Sequence, residues 1–170
     1  MKTSTLSLVA AILFLYFSGC VYGGNDGVNP RNGFVLNGSL VRTEYAIRKN
    51  WTGGVEIAFT DMKQSASYSG KVHTVQFLLE TLSDKVTYTY MPSDSAAFDR
   101  DKNFDVALLY QNVTYKEGLE VTGTGEILSK PTGGSLTFVQ GPDYQTFTYV
   151  LEFGERRITG VYKGKVTVIE

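Results

Sequence analysis

From Phe34 onward, apolar and polar residues alternate with period two in run after run. That spacing puts every second side chain on one face of a β-strand. Phe34, Leu36, Gly38 and Leu40 stand against Val35, Asn37, Ser39 and Val41. Val55, Ile57 and Phe59 form one row after Gly53-Gly54. Val75, Phe77 and Leu79 form another, with His73 sharing their parity, and Val86, Tyr88 and Tyr90 a third, ended by Pro92. The grammar continues through Phe104, Val106, Leu108 and Tyr110, through Leu119, Val121 and Ile127, and through Leu136 and Phe138. It closes with Phe147, Tyr149, Leu151 and Phe153, and then with Ile158, Gly160, Tyr162, Gly164, Val166 and Val168.

These runs predict about nine strands with short links and no long helix. Asp61–Gly70 lacks an apolar stripe and reads as a loop. Short strands with one wet face need a second layer or closure on themselves. The expected fold is therefore all-β, a single antiparallel β-sandwich, with a small up-and-down or lipocalin-like β-barrel as the alternative. The alternation predicts a core of Leu36, Leu40, Val55, Ile57, Phe59, Val75, Phe77, Leu79, Val106, Leu108, Val121, Ile127, Phe138, Phe147, Leu151, Ile158 and Val166. Gly160 and Gly164 are expected to mark bends or close backbone approaches in the last strand.

The first twenty residues follow different rules. Lys2, the apolar run Leu6–Phe17 and the exit Ser18-Gly19-Cys20 describe a secretory signal. The run is shorter than the roughly twenty residues of a membrane span. Phe17-Ser18-Gly19-Cys20 resembles a bacterial lipobox, although Phe17 stands where an aliphatic residue is usual; the resemblance implies lipidation of Cys20. This is the chain's single cysteine, so no intramolecular disulfide can form. Val21–Gly33 is rich in Gly and Asn and reads as a flexible tether. The expected organisation is a signal at 1–19, a lipidated cysteine and tether at 20–33, and an antiparallel β-domain at 34–170.

Charge then narrows the partners. Sixteen Lys plus Arg face 17 Asp plus Glu, and Lys2 leaves with the signal. No basic field exists to attract nucleic acid.

Gly134-Ser135-Leu136-Thr137, the aromatic and Thr-rich Tyr144–Phe153, and Ile158-Thr159-Gly160-Val161-Tyr162-Lys163-Gly164 supply a further comparison. Together with the signal, they resemble small secreted lipoproteins of Bacteroidales-type bacteria. The bulkier Gly154-Glu155-Arg156-Arg157 departs from that pattern. The resemblance implies an exported envelope β-domain, anchored at the outer membrane or cell surface, and transfers no catalytic residue.

Candidate chemistry is sparse. His73 is the only histidine, and no Gly-x-Ser-x-Gly elbow accompanies Ser65, Ser67 or Ser69. His73 reads as a hydrogen-bonded rim residue. Glu56, Glu80, Glu120, Glu126 and Glu152 occupy polar strand positions, where a solubilising role is expected. Asp99, Asp101, Asn103 and Asp105 repeat oxygens at alternate positions, like the start of a calcium loop. Phe104 stands at the glycine position of that motif and Tyr110 at its closing glutamate, and Arg100 and Lys102 oppose a cation. Trp51, Tyr68 and Tyr144 lie near loops and are candidates for a ligand surface, since aromatic rings stack on sugars and anchor protein contacts. The expectation is a non-catalytic protein with a binding or structural role toward an envelope protein or glycan. The alternative is a barrel that carries a small hydrophobic ligand.

Overall fold

A computed structural model describes residues 32–63, 65 and 67–169. The expected signal, Cys20 and residues 20–31 of the tether lie outside them. Gly33, expected in the tether, already belongs to the first strand.

Fourteen strands follow one another: β1 (Gly33–Leu36), β2 (Ser39–Arg42), β3 (Tyr45–Trp51), β4 (Gly54–Thr60), β5 (Gly70–Leu79), β6 (Thr87–Tyr90), β7 (Asn103–Phe104), β8 (Val106–Lys116), β9 (Leu119–Glu120), β10 (Glu126–Leu128), β11 (Gly133–Gln140), β12 (Gln145–Phe153), β13 (Arg156–Gly164) and β14 (Val166–Ile169). No helix occurs among the described residues. One sheet has the order β2-β1-β13-β12-β11-β6-β7, the other β10-β8-β5-β4-β3-β14, with β9 on β8. The two curled sheets form a β-sandwich. Neighbours pair antiparallel except for β6 with β7 and β14 with β3, which run parallel.

Both parallel pairs sit at sheet edges, beside the places where the chain changes sheets. β7 passes through Asp105 into β8, and β13 passes through Lys165 into β14. Thr43 and Glu44 make a third crossing, from β2 to β3.

The core fills the space between the sheets with rings. Phe59 stacks on Tyr149 with centroids 5.1 Å apart and planes 10° apart. It also meets Phe147 at 5.1 Å and Tyr162 at 5.6 Å. Phe77 meets Phe104 edge-on at 5.3 Å and Tyr149 at 5.5 Å. Offset and edge-to-face rings gain about 0.5–1.5 kcal/mol per pair beyond the area they bury.

Space for Tyr149 comes from its cross-strand partner. Gly160 lies directly opposite it, and a Cβ there would run into the phenol ring. Gly160 is thus the close approach that its place in the last apolar row suggests. At Gly164, a Cβ would stand 2.8 Å from the Tyr162 hydroxyl, which donates to the Lys165 carbonyl at 2.7 Å.

Twelve of the residues expected inside lie in or against the core. Leu36, Val55, Ile57, Phe59, Val75, Phe77, Leu79, Phe138, Phe147, Leu151 and Ile158 are buried, and Val166 packs on them half-buried. Five others do not belong to it. Leu40 is 47% exposed because Asn37 and Gly38, at φ +50° and +77°, form a two-residue hairpin turn. The run 34–41 is therefore two strands, and Leu40 pairs with the outward Val35. Val106 and Leu108 are only half-buried, while Ala107 and Leu109 are fully buried. The parity carried through from Phe104 breaks at the Asp105 corner. Val121 is exposed beyond β9, and Ile127 is exposed on the edge strand β10, opposite Tyr110.

Candidate functional site

The β3–β4 hairpin places Trp51 at one end of the second sheet, directly opposite Gly54. The indole lies close over that glycine: a Cβ on Gly54 would stand 2.9 Å from the ring and 2.6 Å from the Leu79 carbonyl. Gly54 lets both approach. The indole remains 40% exposed.

A cleft of about 160 Å³ opens beside it. Trp51 and Gly53 form one wall, and the end of β5, Leu78 to Glu80, forms the floor. Phe98 and the run Asn103 to Val106 complete it. The loop ahead of β7 is held in place by consecutive turns. Ser95 N donates to the Pro92 carbonyl, Phe98 N to that of Ser95 and Lys102 N to that of Asp99, each at 3.0 Å. Two side-chain contacts tie this loop to the end of β5. Arg100 pairs with Glu80 at 3.1 Å, and the Thr81 hydroxyl donates to Asp101 at 3.3 Å.

Part of the calcium-like series therefore lines the same cleft as Trp51, a juxtaposition that linear spacing does not reveal. The series itself does not converge on an ion. Asp99 Oδ1 accepts from the Asp101 amide at 3.0 Å, and Asp99 Oδ2 accepts from Lys102 Nζ at 2.9 Å. These contacts hold the Asp99 carboxyl below its ordinary pKa and raise that of the Lys102 ammonium. Buried Asn103 accepts from the Asp99 amide at 2.7 Å and donates to the carbonyl and hydroxyl of Thr89. These oxygens build a turn rather than a cation shell. Among the described residues, no group of three or more His, Cys, Asp or Glu side chains is arranged to hold a metal. Asp99, Asp101, Asn103 and Asp105, expected as the start of a calcium loop, are thus not brought together around one point. Asp105 differs from the others, since its carboxylate takes part in no hydrogen bond or ion pair among the described residues.

Trp51, Tyr68 and Tyr144 do not form one patch. Trp51 belongs to the Leu79 end of β5 and Tyr68 to the Gly70 end. The ten residues of β5 separate them by about 30 Å. Tyr68 folds back over Gly70 and donates to the Lys71 carbonyl at 3.0 Å. Tyr144 lies in the β11–β12 turn beneath Lys163 Nζ, 4.4 Å from the ring centroid, an intramolecular cation–π contact.

His73 is half-buried rather than the start of an inward row. It lies where the β5–β8 register slips between Val72 and Thr74. Its Nδ1 accepts from the amide of Asn112, which has φ +55°. Its own amide donates to Asp61 at 2.9 Å. Histidine and aspartate thus stabilise a bulge. Ser65 and Ser67 bond each other, and Ser69 accepts from the Glu117 amide. Glu126 is bound to Arg156 across the two sheets at 2.6 Å.

The chain matches no family model, no curated protein and no solved structure.

Proposed function

We propose that this protein is an exported, lipid-anchored envelope protein of the Bacteroidales-lipoprotein type that binds a glycan without catalysis, at the Trp51 cleft. Anchoring through Cys20 would hold the domain at the outer membrane or cell surface. The observation that carries the binding reading is the half-exposed indole of the only tryptophan, walling a cleft that Asp105 also lines. A sugar ring needs both features: an aromatic face for its C–H groups and acceptors for its hydroxyls. A cleft of about 160 Å³ suits about one ring, with the rest of a chain outside it. The rings of Phe59, Phe77, Phe147, Tyr149 and Tyr162 occupy the interior, which weighs against a carrier of a hydrophobic ligand. His73 and the serines serve local backbone geometry, which supports a non-catalytic reading.

A glycan array probed with the mature chain and with Trp51→Ala tests the binding reading. The wild type should retain a defined set of oligosaccharides, and Trp51→Ala should lose them while keeping its β-type circular dichroism. Equal retention by both proteins would reject the cleft as the site.

A further inference from the structure

The cleft carries an uncompensated charge, and this points to its ligand class. The residues lining it include two carboxylates, Glu80 and Asp105, and no cation. Glu80 is already met by Arg100 at 3.1 Å. Outside the lining, Lys102 is bound to Asp99 at 2.9 Å and so has an anion of its own. Among the described residues, Asp105 is left as a half-exposed anion with no cation in ion-pair distance, lining the same cleft as Trp51. An anion and an aromatic face together form a receptor for a cation. The carboxylate supplies a charge-assisted hydrogen bond, and the indole attracts positive charge through its quadrupole.

We infer that the cleft selects a sugar bearing a free amine, an N-unsubstituted amino sugar in its cationic form, over its N-acetylated or neutral counterpart. This rests on the glycan reading of the same cleft and adds the substituent. An ammonium group would sit against Asp105 while the pyranose ring lies on Trp51. An acetamide in its place would bring no charge and would leave the carboxylate facing a weaker donor. Like-charged sugars, such as uronic acids, would be repelled.

Isothermal titration calorimetry of the mature chain in detergent, at about 0.15 M salt, tests this with three probes: the glucosamine trimer, its fully N-acetylated form and a neutral glucose trimer. The wild type should bind the free-amine trimer about tenfold or more tighter than either other trimer. Asp105→Asn should erase that preference, whereas Glu80→Gln, which frees Arg100, should only reduce it. Trp51→Ala should weaken all three. Equal binding of the amine and acetylated trimers would overturn the amine inference and leave the glycan reading standing. So would a preference that survives both carboxylate variants. Absence of binding by all three trimers, with Asp105-dependent binding of a tri-lysine peptide, would overturn both and assign the cleft to a basic protein partner.

Discussion

Tyr149 occupies the space that a side chain at Gly160 would need. The phenol lies flat on Phe59 and edge-on to Phe77, so a glycine in one strand allows a ring from the next to reach across the sandwich. Gly160→Ala should therefore destabilise the domain by about 1–3 kcal/mol through overpacking. Urea denaturation would measure it. A change within a few tenths of a kcal/mol would mean that the ring can move aside at little cost.

The same tyrosine should contribute to a loss of stability at alkaline pH. Its hydroxyl is buried and, like that of Thr43, makes no well-formed hydrogen bond. Burial pushes its pKa far above the ordinary tyrosine range, with the Thr43 hydroxyl offsetting part of the rise. Burial also raises Tyr110, Tyr115 and Tyr162. A raised folded pKa means that the folded state holds its proton while the unfolded chain releases it. Stability is then undiminished below the unfolded value near 10 and falls as pH rises through and above it, by up to about 1.4 kcal/mol per pH unit per group. Tyr149→Phe should flatten that fall between pH 10 and 11.5. At pH 7 it should be neutral or slightly stabilising, since it removes a buried hydroxyl without a good partner. An unchanged alkaline slope in Tyr149→Phe would contradict this.

Inward and outward positions should separate cleanly under truncation. Phe77→Ala and Phe147→Ala remove fully buried rings and should cost about 3–5 kcal/mol each. Val106→Ala and Leu108→Ala, on the outer face of β8, should cost less than about 1.5 kcal/mol. Similar losses at all four sites would mean that something covers the outer face in solution.

The fold was legible wherever one strand kept one phase. The inner row of β5, β12 and β13 follow period two, and their buried rows are those the alternation predicts; β4 buries the expected Val55, Ile57 and Phe59 but also Ala58 and Thr60 from its other face. Failures cluster where the chain changes direction or sheet. Asn37-Gly38 is a hairpin signal in the sequence itself, but the apolar run continues through it and masks the turn. Asp105 carries no such signal. The phase shift there arises because Phe104 belongs to one sheet and Val106 to the other, and only tertiary structure shows it. β3 has charged residues interrupting its apolar ones, Tyr-Ala-Ile-Arg-Lys-Asn-Trp, and it gains strand character from pairing with β4 and β14.

The candidate site was legible in its parts and not in its assembly. Trp51 and the Asp99–Asp105 series are separate signals, about fifty residues apart, and the topology joins them at one end of the sheet. The series itself resolves into a turn, which predicts that Asn103→Ala loses about 1–3 kcal/mol by removing the hydrogen bonds of the buried Asn103 amide to the Asp99 and Thr89 backbone. Calcium or a chelator should leave the melting temperature of the wild type unchanged. A calcium-dependent rise would restore the series as a cation site.

The most direct test of a glycan-binding Trp51 cleft is intrinsic fluorescence. The chain has a single tryptophan, so its emission reports this site alone. Titration of the mature chain with the oligosaccharides retained on the array should give a saturable change in intensity or wavelength, and for those with a free amine Asp105→Asn should weaken it about tenfold. Saturable binding detected by calorimetry with no change in Trp51 emission would place the ligand elsewhere on the protein and contradict the account.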